Sequence, residues 1–435
     1  MSVNHERRQF LRLAAAASSA AVFAPTSSLT IPSSCRAQGP NEKLNVGCIG
    51  VAAQGEYNLS NVATENIVAL CDIDSKRLAK AADRFPQAAT YADFRKLLDR
   101  NDLDAVVVAT PDHTHAVATV RALQKGLDVY CEKPLTHTAF ETRRVREWTA
   151  KQKAVTQMGT QIHAGDNYRR VVEAIQAGMI GPVHRVHVWM KNTVEPAQRV
   201  AAAEPPEHVD YDLWTGPAPL RPYHPSHFHF NWRWWWDFGG GTLGDFGCHY
   251  MDLPFWALGL RYPTSVEAVG SKGYEGDNEP PDALRIDYHF PSRDAKPPVH
   301  MTWYHGEQRP GWTKADFGRE SGVLFEGERG RLVADYGSHQ AYLGNDQEVQ
   351  PPPQTIAKSI GHHQEWIKAC KERSSTTCNF DYSGALTESV HLGNVAYRAG
   401  QRHLRWDAEA FRITNHAEAN DLLHQDYRQG WTLEG

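Results

Sequence analysis

Apolar residues fall in two rhythms along this chain, and the rhythm changes near Gly159. Before that point, short apolar runs alternate with amphipathic stretches. Leu44–Ile49, Ile67–Leu70, Ala89–Tyr91, Ala105–Ala109, Leu127–Cys131 and Ala154–Met158 predict strands. Between them, Ser75–Arg84, His115–Lys125 and Phe140–Lys151 carry helical spacing, and Thr138 stands three residues before Glu141 as a capping box. Continuous apolar strands separated by helices predict a parallel sheet covered on both faces.

Beyond Gly159 a helical pattern over Asn167–Ala177 precedes Val183–Met190, where apolar and polar residues alternate. A loop rich in Pro, Ala and Glu spans 194–210, and an aromatic, glycine-rich stretch follows it. Alternation returns at Ser265–Gly270, Leu284–Phe290, Val299–Tyr304, Gly322–Phe325 and Arg331–Asp335, which predicts an antiparallel sheet with one buried face. Helical patterns at His363–Glu372 and Gly384–Ala399 close the chain, and a polar tail is expected to wrap the surface. The expected fold is α/β, with a Rossmann-type domain at 43–160 and an α+β domain at 161–435.

Residues 1–40 fit neither rhythm. Glu6-Arg7-Arg8-Gln9-Phe10-Leu11-Arg12 precedes an alanine-rich apolar run, Leu13–Ala24, and Cys35-Arg36-Ala37 offers a small-residue cleavage site. This pattern predicts a twin-arginine export signal and a periplasmic or secreted protein. A basic amphipathic helix is the alternative, but Ala14–Ala21 has no polar face.

Composition narrows the function. The net charge of −5 without a basic block in the body argues against a nucleic-acid partner. No apolar run reaches the ~18 residues that suggest a membrane span. The seven cysteines show no close pairing, and Cys48, Cys71, Cys131 and Cys248 are expected as small buried hydrophobes. Thirteen tryptophans suggest aromatic surfaces for a bulky or ring-shaped ligand.

The first strand runs into Gly50-Val51-Ala52-Ala53-Gln54-Gly55, a strand–glycine turn–helix that meets a pyrophosphate with helix N-terminal amides. Ala52 replaces the second glycine of the usual fingerprint. Asp72 ends the second strand 22 residues after Gly50, where a carboxylate accepts from the ribose 2′-hydroxyl and favours NAD over NADP. A helix N-cap is the alternative role for Asp72, with Asp74 and Ser75 also able to fill it. Thr110-Pro111-Asp112-His113-Thr114-His115 and Glu132-Lys133-Pro134 follow the fourth and fifth strands, at the sheet edge where ligands bind. Partial burial there would lower the Lys133 pKa. A solvated ion pair is its plainer role.

In the aromatic stretch, Asp245 and His249 are four residues apart and share a helix face. A carboxylate beside an imidazole raises its basicity and suits a general base, while a surface helical pair would do nothing catalytic. The glycines at 239–241 favour close approach to a ligand, and Pro254 is expected to kink or end the helix. His224, His227, His229, Asp245 and His249 could alternatively supply zinc ligands for a hydrolase. A sugar-binding protein is a third possibility.

Taken together, the motifs Gly50…Gly55, Asp72, Thr110-Pro111-Asp112-His113, Glu132-Lys133-Pro134 and Asp245-x-x-x-His249 resemble the Gfo/Idh/MocA oxidoreductase family in order and spacing, over nearly the whole chain after residue 40. The resemblance implies a Rossmann domain, a large and mostly antiparallel second sheet, and homo-oligomers built through that sheet. It implies Gly50, Ala52, Gln54, Gly55, Asp72, Thr110, Pro111, His113, His115, Glu132 and Lys133 around NAD. Lys133 would bond the reacting hydroxyl, with His249 catalytic and Asp245 as its carboxylate partner. The implied substrate is a sugar, glycoside or cyclitol, and the implied chemistry is hydride transfer. Export of a folded protein away from free NAD further implies a cofactor that travels bound. Its cycle would be redox-neutral, ending in oxidoreduction between sugars or in NAD-assisted glycoside cleavage.

Overall fold

The computed structural model describes residues 42–344, 347–349 and 352–434. The expected export signal therefore lies outside the described residues.

Six strands form the first sheet: β1 (Asn45–Ile49), β2 (Asn66–Cys71), β3 (Ala89–Tyr91), β4 (Ala105–Val108), β5 (Asp128–Glu132) and β6 (Thr156–Gly159). Their order is β3-β2-β1-β4-β5-β6, and every neighbouring pair is parallel. All residues of β4, β5 and β6 are buried, because helices cover both faces and an alternating pattern would strand polar side chains in the core. The order reverses between β1 and β4, which opens the crevice at the strand ends.

The second sheet holds ten strands: β7 (Val183–Met190), β8 (Ser265–Ser271), β9 (Ala283–Phe290), β10 (Val299–His305), β11 (Gly322–Gly327), β12 (Gly330–Ala334), β13 (His339–Leu343), β14 (Gln347–Glu348), β15 (His403–Asp407) and β16 (Arg412–Ile413). Its order is β14-β13-β12-β11-β7-β10-β9-β8-β15-β16. Of these pairings only β7–β10 is parallel. Alternation survives in β9, whose pattern runs buried and half-exposed in turn, as expected for a sheet covered on one face.

Three expectations need correction. The polar tail does not merely wrap the surface, because His403–Asp407 pairs with β8 and extends the sheet. The helix after β4 begins at Asp112, not His115, with Pro111 before it, so Asp112 to Thr114 form its first turn. Pro254 neither ends nor kinks a helix. The helix Gly241–Tyr250 stops by itself, and Pro254 occupies the first turn of the next, Asp252–Leu258. A missing amide costs nothing there, since first-turn amides have no intrahelical acceptor.

The capping box forms as expected: Glu141 N donates to Thr138 Oγ1 at 3.2 Å, and Thr138 N donates to Glu141 Oε2 at 2.9 Å. It starts the helix Ala139–Gln152, which packs against the long helix Phe380–Arg398. Arg143 bridges these two helices, with Nη2 donating to Glu388 Oε1 at 2.8 Å and to Ala408 O at 2.9 Å. The Glu388 side chain is fully buried, and this guanidinium is the main compensation for its charge, with Arg146 and Trp406 adding to it. Arg143→Ala is expected to cost about 3–5 kcal/mol by leaving a buried carboxylate unpaired. Denaturant unfolding measures it, and a loss below about 1 kcal/mol would mean that Glu388 is held neutral or solvated.

Candidate active site

A cleft of about 490 Å³ opens at the carboxyl ends of the first sheet and is roofed by the second domain. The glycine turn forms its floor. Gly50 has φ +81°, and a Cβ there would lie 2.5 Å from Ala109 O, so only glycine lets β1 pass this close to β4. The helix Gln54–Val62 that follows has no side-chain cap, which leaves amides at its N-terminus for an anion. Thr110 Oγ1 is buried on the cleft wall without a protein partner. A cradle closed to any Cβ, an uncapped helix start and an orphaned hydroxyl fit a dinucleotide. Gly50, Ala52, Gln54 and Gly55 lie in or beside it, and Pro111 lines the same wall.

Asp72 borders the cleft and is not a helix cap; Asp74 caps the next helix, accepting from Lys76 N and Arg77 N. Asp72 Oδ2 accepts from Val51 N at 3.1 Å and Oδ1 from Asp74 N at 3.0 Å. Burial raises its pKa, and these two amides oppose the rise. The carboxylate is thereby fixed beside the fingerprint turn, with lone pairs left for a ribose.

Glu132 ends β5 and is buried. Its Oε1 accepts from Gln161 Nε2 (2.8 Å), Asn58 Nδ2 (2.8 Å) and Gln54 Nε2 (3.1 Å). The two residues from the fingerprint helix thus reach the strand that carries Lys133. Lys133 Nζ donates to Asp245 Oδ1 at 2.6 Å and to Asp245 O at 2.9 Å. Arg233 Nε lies 3.4 Å from the same Oδ1. Burial works to lower the Lys133 pKa, but the Asp245 carboxylate outweighs it and raises the value above 10.5. The expected lowering is therefore wrong, because local sequence does not show the carboxylate brought in by the other domain. Burial likewise opposes charge on Asp245, and Lys133 with Arg233 outweighs it, holding the carboxyl at about 2.

His249 shares the helix face with Asp245 and borders the cleft. No hydrogen bond joins them among the described residues, and His249 Nδ1 is buried without a partner. Burial, reinforced by Lys133, pushes its pKa down to about 3. The expected rise in basicity from Asp245 is thus corrected: that carboxylate is spent on Lys133.

His113 and His115 do not share one role. The His115 ring spans the loops, with Nδ1 2.8 Å from Pro134 O and Nε2 2.8 Å from Thr110 O. His113 turns away from the cleft; its Nε2 meets Trp214 O at 2.8 Å, and its ring packs on Trp214 and Phe238. Its expected place at the cofactor does not hold, because the helix begins three residues earlier and the ring packs away from the cleft.

The zinc-ligand set is not gathered. His227 bonds Tyr211 and His224, His229 bonds Asp74, and Asp245 bonds Lys133. The glycines at 239–241 approach the protein itself: a Cβ on Gly239 would meet Arg233 Cα at 2.7 Å, and one on Gly241 would meet Pro280 Cβ at 2.7 Å. Trp234 and Trp235 are core residues, while Trp232 and Trp214 face the cleft. Arg233, stacked over Trp232 at 4.2 Å and Phe230 at 4.4 Å, is the residue that sequence reasoning missed. An arginine amid aromatics was the available signal.

Profiles of the oxidoreductase family Gfo/Idh/MocA match twice: its NAD-binding Rossmann fold over residues 44–160 and its C-terminal alpha/beta domain over 170–286. An inositol 2-dehydrogenase of Rubrobacter xylanophilus is 30% identical over 165 residues, covering 37% of this chain and 47% of that protein. The chain spans about half the length of the curated relatives it matches first. Among solved structures, the aldose–aldose oxidoreductase of Caulobacter crescentus complexed with glycerol superposes with TM-score 0.61 at 18% identity, over 84% of this chain and all of that one. A levoglucosan dehydrogenase in complex with NADH and levoglucosan superposes with TM-score 0.58 at 19% identity, over 83% of this chain and 99% of that one.

The buried imidazoles make stability pH-dependent. Burial holds His113 at about 3 and His115 at about 4, below the ordinary 6.5. A depressed histidine binds its proton more readily once unfolded, so stability is present above about 6.5 and is lost as pH falls toward those values. By pH 5 each such histidine costs about 2 kcal/mol. His113→Phe should therefore shrink the loss between pH 7 and pH 5 by about that amount. Denaturant midpoints at the two pH values check this, and an unchanged loss would mean that His113 titrates freely in the native protein.

Proposed function

The chain belongs to the Gfo/Idh/MocA oxidoreductase family, and from that premise we propose an NAD-dependent oxidoreductase acting on a CH–OH carbon of a sugar, glycoside or cyclitol. The observation that carries this is the Lys133–Asp245 contact of 2.6 Å, which sets an ammonium and a neutral imidazole at one end of a dinucleotide-shaped cleft. Bound NAD supplies a two-electron acceptor for the hydride on the substrate carbon. Lys133, held charged, donates a hydrogen bond to the reacting hydroxyl oxygen and fixes its position. The His249 imidazole accepts the hydroxyl proton. A base held at about 3 is weak toward a resting alcohol. It becomes adequate as the carbon gives up its hydride and the oxygen turns toward a carbonyl, so proton and hydride leave together. Asp245 stays ionised throughout and favours the imidazolium that forms.

Three further parts of the proposal rest on the sequence. Residues 1–40 direct the chain through the twin-arginine machinery to the periplasm or beyond. NAD then travels bound, and the cycle is redox-neutral. The chain self-associates through the second sheet, whose face over β7, β10 and β9 carries Arg185 and His187, half-buried, with Arg185 bonded to Thr302 and Thr302 to Asp287.

Three measurements test the reading. Protein supplied with NAD is expected to form reduced nicotinamide with at least one member of a panel of aldoses, glycosides and inositols. Asp72→Ala should weaken NAD binding by about 1–3 kcal/mol. A panel in which no member reduces the bound nicotinamide even once, under conditions where NAD binds, would remove the oxidoreductase assignment. Lys133→Met and His249→Gln should each lower the rate about 10²–10⁴-fold while melting within a few degrees of wild type. Normal turnover in either variant would reassign that residue to structure.

A further inference from the structure

The second domain reaches back over the adenosine end of the first. Ser75 N donates to His208 O at 2.8 Å, and Asp210 N donates to Ile73 O at 2.9 Å. Asp74 and Val209 form an antiparallel bridge between the two segments. Further along, His229 Nε2 lies 3.1 Å from Asp74 Oδ2. Asp74 serves two elements at once, since its Oδ1 caps the helix Ser75–Arg84 through Lys76 N and Arg77 N. Four residues beyond His229, Arg233 meets Asp245. The segment is therefore tied at one end beside Asp72 and at the other to the carboxylate that holds Lys133. Trp214 and Phe230 face the cleft from this segment, along with Ile73 and Phe94 from the Rossmann side. Phe230 is 63% exposed, an apolar ring in water at the mouth of a site shaped for a nucleotide.

We propose that residues 208–233 close the adenosine end of the dinucleotide site, with the His229–Asp74 hydrogen bond as the fastener that keeps the nucleotide bound through turnover. A nucleotide in an open crevice leaves along the sheet edge without disturbing the protein. Here the path out runs under a segment held to the turn after β2 by two backbone hydrogen bonds and the His229 side chain, so release requires the segment to lift and the His229–Asp74 bond to break with it. Because the same segment carries Arg233, a closed adenosine end and a set catalytic end go together. This rests on the dinucleotide reading of the cleft and does not depend on which alcohol is oxidised.

Nucleotide release is the readout. Full-length protein is loaded with labelled NAD and chased with an excess of unlabelled NAD. His229→Phe keeps an aromatic ring against Phe228 but lacks the donor, and His229→Gln restores a side-chain N–H. Wild type should hold the label longest, His229→Phe should release it at least tenfold faster, and His229→Gln should recover much of the retention. Equal release from all three overturns the fastener, as does equally fast release from both variants, which would assign the effect to ring packing. Failure of every protein to bind the label would remove the dinucleotide reading itself, an outcome separate from any result with sugars. Melting curves on the same samples identify a variant that has simply unfolded, and His229→Leu then replaces His229→Phe as the variant without a donor.

Discussion

The cleft depends on one contact, the ammonium of Lys133 against the carboxylate of Asp245. Burying two such charges costs several kcal/mol each in lost hydration, and only close geometry with further hydrogen bonds offsets it. The 2.6 Å contact, the second bond from Nζ to Asp245 O and the nearby Arg233 guanidinium provide that compensation. Since the lysine comes from the end of β5 and the aspartate from a helix of the second domain, the pair also fixes where the domains meet. The end of the first sheet is a binding edge by topology, and this pair sets a buried charge cluster into one part of it.

The contact does not stand alone. Glu132, adjacent to the lysine, draws amide donors from Gln54 and Asn58 of the fingerprint helix and from Gln161 beyond β6. Asn58 in turn accepts from His363 Nε2 at 2.9 Å, which brings in the helix His362–Glu372 from near the chain's end. The result is one polar network from the pyrophosphate-facing helix through Glu132 to the backbone that presents Lys133. A cofactor seated on that helix and a substrate seated on that lysine would be positioned by the same rigid parts, which is what alignment of two reacting carbons demands.

Sequence disclosed the parts of this arrangement that are local. Buried parallel strands announce themselves as unbroken apolar runs, so β1, β4 and β5 were legible almost to the residue. The Gly50 turn was legible because a positive φ beside another strand selects glycine. The Thr138–Glu141 box needed only a three-residue spacing. What the sequence hid is long-range. Lys133 was expected to lose its proton more easily, since burial is visible in a strand end while a carboxylate 112 positions away is not. Asp245 and His249 were read as a couple because a helix makes them neighbours, yet the stronger cation claimed the carboxylate. His113 was misplaced by a helix start that Pro111 moved forward. Arg233 sat unnoticed among tryptophans read as surfaces for a ring-shaped ligand.

The same competition for Asp245 bears on which of the proposed groups would move a proton. Three ionisable groups meet at one end of the cleft, and their environments drive them apart. The lysine is raised by its carboxylate and is a donor at any ordinary pH. The aspartate, at about 2, is an acceptor of hydrogen bonds that does not take a proton. His249, pushed down by burial and by the neighbouring ammonium, is left neutral with an unpartnered nitrogen. Groups separated in this way divide the work of acid and base between them. Of the three, the imidazole is the proposed base, and the Asp245 carboxylate would offset the charge it gains. In the proposed reaction the proton of an oxidised alcohol would pass to this imidazole, with the ion pair beside it supplying the field.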